Sequence, residues 1–360
     1  MMQFSLFQFG YSHASLKEGE ELTIEQLLNV LLIPSANDAA NVLAEHISGS
    51  VDEFANLMNE KAKELGCQNT HFVNPNGVHH SEHVSTAYDL ALMGKYAMQN
   101  STFCQIVKKT RCALPATNKY DKTDRVFNTT NDLLRENYSS AKDNYYYAAA
   151  TGVKTGYTGD AGSCIVASAK KDDLEVIAVV LGGKQTKDGL SQRNLDCITL
   201  FDYAFDHYQL VTLCQKNEVI KEVSVSGASK DTQSLELKPS QNITALVRKE
   251  MNLEEVYSEI TLNDKLRAPI AMGTTIGKIT YEIDGISYSA DLIAGNTVEA
   301  SGLLPILLRS LLALLVIYLL YLLLRPKNRK KQIKAPKKKK SKSQKKHGNG
   351  HYRFTMFHNL

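Results

Sequence analysis

The chain has 360 residues, a 43% hydrophobic fraction and a formal net charge of +4, enough length for a core-bearing domain, a smaller second one and a further segment. The charge is unevenly divided: residues 325–360 hold 14 Lys or Arg and no Asp or Glu, which leaves 28 basic against 38 acidic side chains in residues 1–324. An acidic body with one basic tail excludes a nucleic-acid-binding reading based on the overall charge.

Residues 1–10, MMQFSLFQFG, show no basic n-region, no adequate apolar run and no small-residue cleavage site, so no export signal is read there. Residues 22–48 are predicted to be helical in two pieces, LTIEQLLNVLLIP and SANDAANVLAEHI, with Pro34 at the break. Ser35 is placed as the cap of the second piece and Asp38 in its first turn, where negative charge suits the helix dipole. A third helix is predicted over 51–65, ending at Gly66. Residues 67–84 read as loop, with Asn-Pro-Asn-Gly at 74–77 as turn chemistry, and 85–98 as helix capped by Ser85.

From about residue 143 the pattern changes. SCIVASA (163–169) and LEVIAVVL (174–181) are predicted strands of a hairpin, joined by the polar residues 170–173 and followed by an amphipathic helix over about 190–206. Helices on one face of an antiparallel sheet make residues 1–214 an α+β domain. Residues 215–300 carry short alternating segments such as EVSVSG, SLELK and IGKITYEI, which predict a small all-β domain. Residues 303–324 are 22 residues, apolar except for Pro305, Arg309 and Ser310, about 33 Å of helix and enough to cross a hydrocarbon layer of about 30 Å. The basic, low-complexity tail 325–360 puts the C-terminus inside the cell and the body outside, and suits it to anionic lipid.

Six cysteines (Cys67, Cys104, Cys112, Cys164, Cys197, Cys214) form no CxxC pair; they read as scattered thiols, with pairing left open. His71, His79, His80 and His83 cluster in a loop, but not at the spacing of a helix-borne ligand pair, so no metal and no cofactor is expected.

Two short motifs carry the candidate chemistry: Ser35-Ala36-Asn37 at a helix start, and Lys154-Thr155-Gly156 in a β-like run before Tyr157. Each is weak alone. Their surroundings, GEELTIEQLLNVLLIPSANDAANVLAEHISGS and TGVKTGYTGDAGSCIVASAKKDDLEVIAVVLG, with NTHFVNPNGV and STAYDLALM between them, resemble the low-molecular-mass penicillin-binding proteins, the serine-type D-Ala-D-Ala carboxypeptidases. The resemblance runs from about residue 10 to the C-terminal anchor. It implies a penicillin-binding/β-lactamase-like transpeptidase fold, incomplete at its start, followed by the β-rich domain and a membrane anchor.

It also implies an activity and roles. The activity is removal of the terminal D-Ala from peptidoglycan pentapeptides through an acyl-enzyme, with stem peptides ending in D-Ala-D-Ala and β-lactams as partners. Ser35 would pass a proton between the base and the leaving amine, since a hydroxyl both donates and accepts. Asn37 would hold the substrate amide. Lys154 would supply positive charge for the carboxylate and the developing anion, with Thr155 adding a hydroxyl. Gly156 would let a substrate strand lie against the sheet edge, and the Tyr157 backbone N–H would serve the oxyanion. Arg193 would grip the carboxylate with its planar guanidinium.

The family's third motif, Ser-x-x-Lys, supplies nucleophile and base and precedes the SxN motif. Ser5, Ser12 and Ser15 do not form it, and the matches at Ser139–Lys142, Ser168–Lys171 and Ser343–Lys346 all follow Ser35. The expectation is a chain that begins internally relative to its family, without the nucleophile; the alternative function is a non-catalytic, membrane-anchored protein that binds the cell wall.

Overall fold

Pro34 divides the first apolar stretch into two helices, α1 (Ile24–Leu32) and α2 (Asn37–Ser48). The structure, a computed structural model, describes residues 11–122, 125–136 and 144–324, the side chains of 303–306 excepted. Thr23 starts α1 with a capping box: its hydroxyl accepts from the Gln26 N–H, and the Gln26 side chain accepts from the Thr23 N–H. Helix α2 begins differently from the prediction. Its cap is Ala36, which offers no side-chain acceptor, and Ser35 stands outside the helix at φ +69°. Ser35 is therefore not a cap; its hydroxyl accepts from a side chain of the main sheet instead.

The chain continues through α3 (Val51–Glu64), which ends with Gly66 at φ +84° as its sequence predicts. Next come α4 (Ala87–Ala97) and α5 (Ser101–Val107). Here too a predicted cap moves: Thr86, not Ser85, accepts from the Asp89 N–H, while the Ser85 hydroxyl bonds that of Thr70 at 2.9 Å. A short pair, β1 (Arg111–Leu114) and β2 (Arg125–Asn128), precedes the main sheet.

That sheet is three antiparallel strands in the order β3 (Ala150–Thr158), β4 (Gly162–Lys171) and β5 (Leu174–Gly183), followed by α6 (Gln192–His207). The hairpin and the following helix match the sequence reading. Alternation sets the two faces. Ile165, Ala167 and Ala169 of β4 join Cys197, Phe201 and Phe205 of α6 in one core. On the other face Val166 and Ile177 pack on α4 so closely that a Cβ at Gly94 would come within 3.1 Å of Val166. Lys154 pairs with Val166 and Thr155 with Ile165, so the two neighbours project to opposite faces.

Strand β6 (Tyr208–Cys214) follows α6 directly and pairs with β9 (Ile243–Arg248), so the β-rich pairing starts upstream of residue 215. The remaining strands are β7 (Lys221–Ser224), β8 (Ser234–Pro239), β10 (Ser258–Leu262), β11 (Thr275–Ile283) and β12 (Ile286–Ala294). They form a five-stranded sheet in the order β10-β11-β12-β8-β7 around Leu235, Leu237, Ile279 and Leu292. Helices packed on an antiparallel sheet, followed by a small sheet domain, thus make up the described part of residues 11–299. Residues from Ala300 onward form a separate unit containing the apolar α7 (Leu303–Leu324), exposed over Leu307–Leu324 and a candidate membrane span.

Asp89 ties the loop after α3 to α4. Its carboxylate is buried and accepts from the Thr70 hydroxyl at 2.7 Å and the Asn69 N–H at 2.8 Å. The Thr70 bond, with the backbone donors after it, holds the Asp89 pKa below the ordinary aspartate range. The folded carboxyl releases its proton more readily than the unfolded one, so its stabilisation is complete above the ordinary range and is lost as pH falls through the depressed value. Asp89→Asn is expected to lower the urea midpoint at neutral pH and to shallow its fall on acidification; an unaltered acid limb would contradict this.

Candidate active site

The site begins with a turn that three backbone bonds fix. Ala36 N–H donates to Val30 O at 3.0 Å, Asn37 N–H to Ser12 O at 2.9 Å, and Thr130 N–H to Ile33 O at 3.2 Å. Ile33 and Ala36, on either side of Pro34-Ser35, are buried. The Asp38 carboxylate accepts from the N–H groups of Ala14 and Leu16 at 2.9 and 3.0 Å, binding the segment before α1 to the start of α2. Asp38 thus does more than complement a helix dipole.

Helices cover both faces of the sheet, not one as the sequence predicts, and across from this turn Lys154 leaves β3 on the face of Val166, which packs on α4. Its Nζ donates to Ser35 Oγ at 2.7 Å and to Thr155 O at 2.8 Å. The two motifs, 119 residues apart in sequence, meet here. Burial pushes the Lys154 pKa down to about 8, and the positive charge of Arg193 pushes in the same direction. Thr155, on the opposite face and 8% exposed, donates its hydroxyl to Thr130 Oγ1 at 2.6 Å. Thr130 therefore touches the Lys154 motif through its hydroxyl and, through its N–H, the Ile33 carbonyl two residues before Ser35.

Arg193 sits in the first turn of α6. Its Nη1 donates to Cys164 O at 3.4 Å, and Nη2 lies 3.9 Å from Asp132 Oδ2, which also accepts from Asn194 Nδ2 at 3.2 Å. The approach depends on Gly183: a Cβ there would stand 2.8 Å from Arg193 Cβ and 3.0 Å from Ser163 O. At Gly156 a Cβ would meet nothing within 4 Å, so the sheet edge beside Lys154 is open. Tyr157, next along β3, is 71% exposed. Asn37 lies one residue beyond the Ser35 turn's buried Ala36, as the first residue of α2.

Six of the seven predicted residues are thus tied to one region: Ser35 and Asn37 on the turn, Lys154, Thr155, Gly156 and Tyr157 on β3. Arg193 joins them through its charge on Lys154 and its bond to the carbonyl of Cys164, the partner of Gly156 in register. Sequence reading missed Thr130, Asp132 and Gly183. The only local signal was Asp132 among the loop residues before the sheet; Thr130 and Gly183 act through tertiary contacts.

Of the Ser-x-x-Lys matches, Ser168 is fully buried, and its hydroxyl bonds that of Thr151 at 2.7 Å. The matches at Ser139–Lys142 and Ser343–Lys346 lie outside the described residues, as does the basic tail. The histidine loop is held by its own bonds: His71 Nδ1 lies 2.9 Å from Glu82 O, and His83 Nδ1 accepts from the Val73 N–H at 3.2 Å. All six cysteines are free thiols. An open groove of about 570 Å³ between α1, α4 and α5 is lined by Leu28, Leu32, Phe103 and Ile106 and includes no member of the site.

Comparison with known proteins gives the same frame. Residues 5–185 match the family described as D-alanyl-D-alanine carboxypeptidase, and residues 208–300 the penicillin-binding protein 5 C-terminal domain. The D-alanyl-D-alanine carboxypeptidase DacF of Bacillus subtilis is 34% identical over 310 residues, covering 84% of this chain and 73% of its own length. DacA of Haemophilus influenzae is 29% identical, covering 79% of this chain and 67% of that one. Among solved structures, penicillin binding protein 5 from Haemophilus influenzae aligns with a TM-score of 0.61 at 28% identity, over 81% of this chain and 78% of that one. DacD from Francisella tularensis aligns at 0.56 and 27%, over 82% and 79%.

Since the Arg193 charge disfavours the ammonium form of Lys154, removing that charge favours it. Arg193→Gln is expected to raise the Lys154 midpoint above about 8, read from the pH dependence of the lysine Nζ signal by NMR; a fall would contradict the assignment of its field. Gly183→Ala is expected to shift Arg193 and to reproduce part of the same rise.

Proposed function

The chain belongs to the D-alanyl-D-alanine carboxypeptidase family of serine hydrolases, and from that membership we propose that its Ser35–Lys154 site takes the D-Ala-D-Ala end of a peptidoglycan stem peptide. The observation that carries this reading is the 2.7 Å contact between Lys154 Nζ and Ser35 Oγ, which brings the two motifs together.

In this reading the substrate lies as an extended strand along the open edge of β3 at Gly156, where main-chain pairing gives affinity without side-chain demands. Its terminal carboxylate meets the charges of Lys154 and Arg193 and the hydroxyl of Thr155, and a guanidinium matches that planar group with two parallel donors. Asn37 holds the penultimate amide. The Tyr157 N–H supports the oxygen that becomes negative when the carbonyl turns tetrahedral. When the peptide bond between the two D-alanines breaks, the leaving nitrogen needs a proton. Ser35 can deliver one from its own hydroxyl and regain one from Lys154, because the two are already hydrogen-bonded.

A second reading, binding of the D-Ala-D-Ala end without turnover, is favoured by one observation. Among the described residues the single Ser-x-x-Lys serine, Ser168, is buried in the sheet and cannot meet substrate. We further propose that α7 crosses the cell membrane with the body outside and the basic tail inside, in contact with anionic lipid. Protease added to intact sphaeroplasts should then remove residues 11–299 and spare a tag placed on the tail.

Both readings require recognition of a free carboxylate. Full-length protein in detergent is expected to bind a diacyl-L-Lys-D-Ala-D-Ala peptide saturably by calorimetry. Arg193→Ala should weaken that binding by about 10- to 100-fold, the effect of losing a charge-assisted hydrogen bond. Equal binding of the same peptide with an amidated C-terminus would contradict the site. Release of D-alanine from the bound peptide separates turnover from binding alone.

A further inference from the structure

We propose that Asp160, at the tip of the β3–β4 hairpin, selects the residue that precedes D-Ala-D-Ala in the bound peptide: a diamino acid whose side-chain amine is free. The inference rests on the carboxylate site just described and deepens it, because a peptide anchored there by its C-terminus runs past Tyr157 and Asp160 on its way out.

The direction follows from the charges. Lys154, Thr155 and Arg193 receive the terminal carboxylate, so the peptide runs back along the β3 edge, past Gly156, toward the turn that joins β3 to β4. At about 3.3 Å per residue, the third residue from the end stands about 7 Å from the last, beside Tyr157 and Thr158. Two side chains meet it there. The Tyr157 ring is exposed and offers an aromatic face to an aliphatic stem and its ammonium. The Asp160 carboxylate is 68% exposed, and among the described residues no Lys or Arg pairs with it. The side chain facing it is His79, whose Nδ1 lies 3.7 Å from Asp160 Oδ2.

His79 belongs to a loop that bounds the far end of this path. Asn59 grips the loop at Phe72, donating to Phe72 O at 2.8 Å and accepting from its N–H at 2.7 Å. Asn74 closes the turn, accepting from the Gly77 N–H at 2.7 Å and donating to Val78 O at 2.8 Å. Asn76 Nδ2 donates to Asn41 Oδ1 at 3.1 Å, and Asn41 stands one turn beyond Asn37 on the same face of α2. The loop thus reaches from the Asn37 side of the site to the hairpin tip, and it confines the third side chain near Tyr157 and Asp160. A lysine-like side chain, with a compact ammonium on a four-carbon stem, suits that space and that charge. An acylated or uncharged side chain leaves Asp160 to water, and an acidic one is repelled. Because the pair is exposed, its effect is a few-fold and is screened by salt.

The test is calorimetric titration of the full-length protein in detergent with three Nα-acetyl tripeptides that end in D-Ala-D-Ala and begin with L-lysine, L-norleucine or L-glutamate. Norleucine keeps the four-carbon stem and lacks the charge. At low salt the lysine peptide is expected to bind about three- to fivefold tighter than the norleucine peptide, with the glutamate peptide weakest. The lysine advantage should shrink as salt is added. Asp160→Asn should bring the lysine-to-norleucine affinity ratio toward one, and Asp160→Lys should place the glutamate peptide above the lysine peptide. The hairpin turn is held by the Ala161 N–H to Thr158 Oγ1 bond at 3.0 Å, which does not involve the Asp160 side chain, and thermal melts check that both variants are folded. Saturable but equal binding of the three peptides would overturn the subsite and leave the carboxylate reading intact. A lysine preference that survives Asp160→Asn would do the same. Failure of all three peptides to bind would sink the carboxylate reading together with the subsite.

Discussion

A lysine amine taken out of water must find fixed acceptors or give up its proton, and Lys154 partly does both. From the edge strand β3 it donates to Thr155 O on its own strand and reaches Ser35 Oγ on the turn between α1 and α2. Burial and Arg193 lower its pKa to about 8. The position of Ser35, the register of β3 and the docking of α6 all have to be right for that amine to be satisfied. The site is therefore a tertiary object, built where two remote motifs solve one desolvation problem.

The supporting contacts are each modest and mutually dependent. Asp38 ties residues 14 and 16 to the start of α2, and Thr130 bonds to the Ile33 carbonyl on one side and to Thr155 on the other. Gly183 leaves room for Arg193 to approach the sheet, and Asp132 steadies the guanidinium. On the other side of the sheet, Gly94 lets α4 pack on Val166, the register partner of Lys154. Small residues at two close approaches thus place two cations near one open strand edge.

Much of this frame was legible in the amino-acid sequence because it follows from short-range rules. Proline at 34, glycine at 66 and the alternation in 163–181 fix the helix break, the helix end and the hairpin through backbone sterics and periodicity. The apolar run 303–324 shows itself by length alone. Capping was less legible: Ser35 and Ser85 have the right chemistry, but one turns into the site and the other bonds Thr70. Thr130 and Gly183 carried no local signal, because a hydroxyl partner 25 residues away or a helix packed on a strand is not written in the neighbouring residues. Resemblance to a family supplied the roles of Lys154 and Arg193, and the packing supplies the physical reason they lie together.

The account turns on the energetic link between Ser35 and Lys154, and a double-mutant cycle measures it directly. Unfolding free energies of the full-length protein, Ser35→Ala, Lys154→Met and the double variant isolate the pair. A coupling of about 1.5–3 kcal/mol is expected for a hydrogen bond to a charged group in a buried setting. Additive effects, with a coupling near zero, would mean that the two motifs do not depend on each other, and the site described here would not stand.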